Sequence, residues 1–342
     1  MTAPNTKQRT NYYICHTPYH LYQCSLIAKQ HFSTDLNIAI IEGNANTKDY
    51  SSFNKEIRLN YIGGSVFKTY SIIEDALKVI KQEISNHETN RIFLSDIAWP
   101  LCNRIFFEKK LSNCEFNLFS DGVAAYLNKK RTAQNIIRDI SKNLLSKIRV
   151  TSKYCAFKGH ALGYDHPKAK GFFLPNPNSI NYSANNKHEV MLPSCATQPE
   201  KTKSKNLLFL DQPFWLIIKD NWPEIIKSTI EHIKAHYPEH NLFFKKHHRS
   251  REEENIAFMT HDFVELESDV CIEELVSERD YSVIISFYSS ALLHLRWILS
   301  AETVIINLTN EELIKQLSIN SEITELYKTN SITTITLNQR QS

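Results

Sequence analysis

The 342 residues are 42% hydrophobic and 23% charged, an ordinary globular composition on a chain too long for one small core, so two domains are expected. Forty basic residues against thirty-seven acidic leave a formal charge of +3, which argues against a general polyanion binder and makes any anion site local. Seven cysteines (Cys15, Cys24, Cys102, Cys114, Cys155, Cys195, Cys271) are odd in number, scattered and without a C-x-x-C pair, so neither a disulfide framework nor a zinc site is indicated. The opening residues lack an apolar segment of signal-peptide length, and no later run approaches the roughly 18 apolar residues of a membrane span. A cytoplasmic protein is expected.

In chain order, NYYICH (11–16) reads as a strand, PYHLYQCSLIAKQHF (18–32) as a helix with proline in its first turn, and LNIAIIEG (36–43) as a second strand closed by glycine. The segment 72–87 is apolar at helical spacing, and RIFLSD (91–96) and EFNLFSDG (115–122) read as further strands. Strands separated by helix-length segments imply parallel crossovers, so residues 10–175 are expected to form a Rossmann-like domain. The stretch 176–205, rich in proline, asparagine, serine and lysine, reads as a linker. The alternation then resumes with strands at 206–214, 241–248 and 302–308, helices at 222–238 and 272–279, and a strand, loop and helix over 281–299. Residues 206–330 are thus expected to form a second Rossmann-like domain. Two such domains facing a central cleft make a GT-B type of α/β architecture, with ligands beyond the carboxyl ends of the strands.

Three polar clusters follow directly on strands. Asp121 and Gly122 come after FNLF; a strand-to-helix turn explains them, and so does an aspartate placed to deprotonate a sugar hydroxyl. Lys245, Lys246, His247, His248 and Arg249 come after NLFF. A solvated basic loop accounts for a lysine pair, but the added histidines and arginine fit an anionic leaving group better, with histidine donating to phosphate and the cations balancing charge. Ser289 and Ser290 open a helix, where plain N-capping and an anion cradle are compatible readings. The first strand-to-helix turn adds His16, Thr17, Pro18, Tyr19 and His20, and Asp96 follows RIFLS. Packed structural residues, or contacts to a donor carboxylate or acceptor, explain the turn residues equally; Asp96 reads first as a helix cap and second as a contact to acceptor hydroxyls. No D-x-D, Walker-type loop or G-x-G-x-x-G occurs in the chain.

The chain resembles the bacterial sialyltransferases of GT-B fold, which include glycosyltransferase family 52 and the bacterial polysialyltransferases. Those enzymes share a D/E-D/E-G motif, a K-x-H-P motif often followed by arginine, and a serine pair, in that order; here SDG (120–122), KKHHR (245–249) and SS (289–290) stand in the corresponding places. ICHTPYHLYQCSLIA (14–28) is similar to the C-x-T-P turn that opens family 52 proteins. Ser120 departs from the pattern at the first acidic position, and His248 at the proline.

The resemblance implies inverting transfer of sialic acid from CMP-sialic acid to a sugar hydroxyl of a surface glycan, lipooligosaccharide or capsule. No metal or cofactor is implied, since a departing phosphate monoester can be stabilised by protein donors. On this reading Asp121 takes the acceptor proton, unless the base lies elsewhere, and His247 serves the departing phosphate. Lys245 or Arg249 balances its charge, and Ser289 with Ser290 holds its oxygens. Another CMP-activated nonulosonic acid, or a non-catalytic glycan- or nucleotide-binding relative, are the alternatives. Nucleic acid is not an expected partner.

Residues 129–153 carry eight basic residues and one acid, with Ile136, Ile137, Ile140, Leu144, Leu145 and Ile148 at helical spacing. Two readings compete: a helix packing its apolar stripe on a sheet, or one lying on the inner face of the cytoplasmic membrane. A homodimer is the assembly considered.

Overall fold

The continuous apolar runs become central strands of two parallel sheets in a computed structural model of the chain, which describes residues 9–43, 50–59, 66–85, 90–147, 153–184, 186–194, 204–218, 221–247, 249–266, 270–316 and 321–337. The chain divides into two units, Met1–Met191 and Leu192–Ser342.

In the first unit the strands are β1 (Thr10–Cys15), β2 (Leu36–Glu42), β3 (Lys55–Leu59), β4 (Asn90–Leu94), β5 (Glu115–Phe119), β6 (Ala169–Leu174) and β7 (Lys187–Glu189). They lie in the order β3-β2-β1-β4-β5-β6-β7, every pair parallel. The helices are α1 (Pro18–His31), α2 (Val66–Ser85), α3 (Pro100–Phe106) and α4 (Ala133–Lys147). All six residues of β1 are buried, as a strand covered on both faces requires. Tyr13 stacks on Phe93 with ring centroids 4.6 Å apart, and α1 is buried from His20 to Ala28. Thr17 starts that helix by accepting the His20 N–H on its side chain at 3.1 Å, with Pro18 in the first turn.

The second unit holds β8 (Asn206–Leu210), β9 (Asn241–Lys245), β10 (Val264–Glu265), β11 (Val283–Ser286), β12 (Val304–Thr309) and β13 (Thr333–Thr336), in the parallel order β10-β9-β8-β11-β12-β13. Its helices are α5 (Phe214–Ile217), α6 (Trp222–His236), α7 (Glu252–Met259), α8 (Ile272–Leu275), α9 (Ser290–Ile298), α10 (Glu311–Gln316) and α11 (Ser321–Thr329). Leu207, Phe209, Phe244, Phe258, Ile285 and Ile306 are buried in its core.

Both sheets place their first strand inside, with the next strands to one side and the later ones to the other. The strand order therefore reverses at β1 and at β8, and α/β sheets of this kind hold ligands beyond the strand ends at that reversal. The stretch 176–205, expected as a linker, carries β7, which pairs with Phe172–Leu174 of β6 and extends the first sheet. Residues 185 and 195–203 of it, and Cys195 among them, lie outside the described residues. β13 falls beyond the expected limit of 330 and closes the second sheet against β12. Cys15, Cys24, Cys102, Cys114, Cys155 and Cys271 are free thiols.

Candidate active site

In the first unit the ends of β1, β4 and β5 bring His16, His20, Asp96 and Asp121 together. The Asp121 carboxylate accepts from His20 Nε2 at 3.0 Å and keeps 45% of its side chain exposed, while the His20 side chain is 4% exposed. The His16 backbone N–H donates to His20 Nδ1 at 3.4 Å, so the proton of the neutral ring sits on Nε2 and is directed to Asp121. The His20 ring lies edge-on to Phe119, 5.3 Å away, which fixes its plane. The Asp121 N–H donates to the Tyr164 hydroxyl at 3.0 Å, and that hydroxyl donates to the Ser95 carbonyl at 3.0 Å. Gly122, at φ +61°, turns the chain away after the carboxylate through the left-handed region that glycine enters without strain. Ser120 is fully buried and accepts from Gln23 Nε2 at 2.7 Å. Of the two positions that carry acids in the motif SDG resembles, the second is therefore the one that reaches solvent here.

His16 donates through Nδ1 to Glu42 Oε2 at 2.5 Å, and its Nε2 lies 3.1 Å from Cys102 Sγ. Burial pushes the Cys102 thiol well above its ordinary range, and Asp96 and Glu42 add to that, so the sulfur keeps its proton beside the ring. Trp99 Nε1 also donates to Glu42, at 3.3 Å. Asp96 is buried and accepts the N–H groups of Ala98 and Trp99 at 2.6 Å each, with the Ser95 hydroxyl at 3.1 Å. Burial, and then the charge of Asp121, push the Asp96 carboxyl above its ordinary range, while the backbone donors oppose them. Asp96 thus closes its own turn beneath Asp121. Thr17 caps α1, and Tyr19 is half-buried on the first turn of that helix. Glu42, Cys102, Trp99 and Tyr164 are the residues of this cluster that sequence reading missed.

In the second unit the basic loop and the serine pair flank β8 on its two sides. Lys245 ends β9, and its carbonyl accepts the Asp211 N–H at 3.0 Å. Lys246 pairs with Glu265 of β10 at 2.9 Å. His247 Nδ1 accepts the Arg249 N–H at 3.1 Å, which leaves its ring proton on Nε2 as a donor. Arg249 is exposed, and its carbonyl accepts from Trp215 Nε1 at 2.7 Å; His248 lies outside the described residues. Beneath the loop, the Ser250 hydroxyl donates to Asp211 Oδ2 at 2.5 Å, while Asp211 Oδ1 is buried without a partner among the described residues. Burial pushes the Asp211 carboxyl up to about 7, against the Ser250 hydrogen bond.

Ser289 caps α9, its hydroxyl accepting the Ala291 N–H at 3.3 Å, and Ser290 is the first helical residue. Tyr288 before them sits at φ +46°, a strained conformation for a bulky residue. Asn307 Oδ1 holds its N–H at 2.7 Å, Thr309 meets its hydroxyl at 2.8 Å, and Tyr327 donates to the Ser289 carbonyl at 3.0 Å. These contacts fix the serine pair at the strand end. His294 donates to Glu273 at 2.7 Å on α9 and α8, both buried. Among the described residues no three His, Cys, Asp or Glu side chains are grouped to hold a metal ion.

Two parallel sheets of Rossmann-type order, each with polar groups at its strand ends, give the chain a GT-B type of fold. The chain matches the family model of alpha-2,8-polysialyltransferases over residues 11–308 and belongs to that family, so it is a glycosyltransferase of the sialyltransferase type. Its fold is similar to that of an alpha/beta-galactoside alpha-2,3-sialyltransferase of Photobacterium phosphoreum, at 12% identity and a TM-score of 0.52, covering 96% of this chain and 99% of that one. The GT-B domain of a sialyltransferase of Photobacterium damselae is also similar, at 13% identity and a TM-score of 0.51, covering 96% of this chain and 100% of that one. So is a UDP-GlcNAc 2-epimerase of Methanocaldococcus jannaschii, at 12% and 0.55, covering 97% and 90%. No curated protein matches the chain.

Proposed function

We propose that this chain transfers sialic acid from CMP-sialic acid to a sugar hydroxyl of a bacterial surface glycan, lipooligosaccharide or capsule, with inversion and without a metal. The observation that carries the reading is the Asp121–His20 pair: a half-exposed carboxylate at a strand's carboxyl end, held at 3.0 Å by a buried imidazole. The acceptor oxygen attacks the anomeric carbon on the face opposite CMP. The carbon–oxygen bond to phosphate breaks, its electron pair leaves with CMP, and the acceptor proton passes to Asp121.

His247 donates from Nε2 to the departing phosphate, and Lys245 and Arg249 balance its charge. Ser289 and Ser290, at the positive end of α9, bind its oxygens. His16, Thr17, Tyr19 and Asp96 supply further contacts to the donor or the acceptor. The family's name favours a sialic acid as that acceptor.

Thermal unfolding with millimolar CMP, UDP, GDP or ADP, each with and without EDTA, tests the donor half. Ligand at a hundred times its dissociation constant adds about 2.7 kcal/mol, a resolvable shift. Stabilisation by CMP alone, indifferent to EDTA and lost in His247→Ala, is expected. A preference for UDP, GDP or ADP, or an unchanged CMP shift in His247→Ala, counts against the assignment of the basic loop.

A further inference from the structure

The helix α4 is mounted inside out. Its polar side faces its own unit: Asp139 is fully buried and paired with Arg131, and Lys142 lies 4.7 Å above the Tyr154 ring. Arg131 itself stacks 4.1 Å above Phe157 and donates to the Ala161 carbonyl at 3.3 Å. Its apolar side faces outward. Ile137, Ile140, Leu144 and Leu145 are 64%, 50%, 58% and 43% exposed, and they are four of the twelve large apolar side chains exposed among the described residues. Ile137, Ile140 and Leu144, spaced three and four apart, fall on one stripe of the helix. A buried apolar stripe, one of the two expectations for 129–153, is overturned for 133–147; residues 148–152 lie outside the described residues.

Charge selects the occupant of this face. At about 100° per residue, exposed Arg138 and Lys147 lie to either side of the stripe, and Lys129, Lys130 and Lys153 are exposed nearby. The only acid between 129 and 153 is Asp139, which is buried and paired, so the outer surface of the element is cationic without relief. A second copy of the same face would bring like charges together. A soluble polyanion would leave the aliphatic stripe in water. A bilayer with anionic headgroups takes both, the stripe at the headgroup and acyl boundary and the lysine and arginine heads at the phosphate level. Among the described residues no helix is long and apolar enough to cross a membrane, so the contact is one of lying on the surface.

We infer that α4 docks this protein on an anionic lipid surface through Ile137, Ile140, Leu144 and Leu145, with Arg138 and Lys147 at its margins. This holds whatever the donor sugar is.

Flotation of the full chain with phosphatidylcholine vesicles, with and without about a third phosphatidylglycerol, tests it. Binding to the anionic vesicles alone is expected, weakening with salt as surface charges are screened. Each cation removed (Arg138→Gln, Lys147→Gln) should weaken partitioning about fivefold. Ile137→Ser/Ile140→Ser/Leu144→Ser should abolish binding while leaving the melting temperature in place, since these side chains are already exposed. Leu144→Trp should shift its fluorescence to the blue on anionic vesicles. Equal binding by the triple-serine chain, no binding by the wild type, or an unmoved tryptophan spectrum would overturn the inference. So would a wild-type dimer that the serine variant dissolves, or a soluble polyanion that binds this face when vesicles do not.

Discussion

At the residue scale the first candidate site is a half-exposed carboxylate that its neighbours hold in place. His20 reaches Asp121 with a proton placed by a backbone N–H, and Ser120, the neighbour that could carry a second carboxylate, is buried against Gln23. In the second unit Asp211 is buried instead. Burial lifts its carboxyl to about 7, far above an unfolded aspartate near 4, so the folded chain holds a proton there that the unfolded chain releases. Stability should therefore be greatest below about pH 4 as far as this group is concerned, fall as pH rises to about 7, and level off beyond. Asp211→Asn should remove that slope and raise neutral-pH stability by about 1–3 kcal/mol, the range of a group relieved of buried charge. Denaturant midpoints measured from pH 5 to 8 check it; parallel curves for the two chains would show that Asp211 is ionised throughout.

At the element scale α4 depends on one buried pair. Arg131→Ala leaves the fully buried Asp139 without its cation, and breaking such a pair costs about 3–5 kcal/mol. The Arg131→Met/Asp139→Leu double variant should recover most of that loss, and urea midpoints for the two chains decide the matter; a single variant as stable as the wild type would mean that the pair does not hold the helix. What was legible in the sequence follows the same physics. β1, β2, β5, β8 and β11 stood out as apolar runs because both of their faces are covered. β3, β7 and β13 did not, since edge strands with exposed polar residues such as KEIRL, KHE and TTIT carry little apolar pattern. Asp121 and His247 were legible because each follows an apolar run. Glu42 and Cys102 were not, since they reach His16 from 26 and 86 residues away and only the strand order brings them there.

At the scale of the whole molecule, family membership and two sheets of the same strand order make the chain a sialyltransferase-type enzyme, with a carboxylate–histidine pair at the strand ends of one unit and a basic loop and serine pair at those of the other. The proposed chemistry divides between them, deprotonation in the first and leaving-group stabilisation in the second. The most direct test is to incubate the full chain with CMP-sialic acid and a sialylated acceptor in EDTA, following CMP release and the product's anomeric configuration by NMR, for the wild type and Asp121→Asn. Transfer with inverted configuration by the wild type is expected, with Asp121→Asn slower by about 10²- to 10⁴-fold at unchanged CMP affinity, the range of a lost general base. Wild-type turnover by Asp121→Asn, or transfer that stops in EDTA, would contradict the assignment.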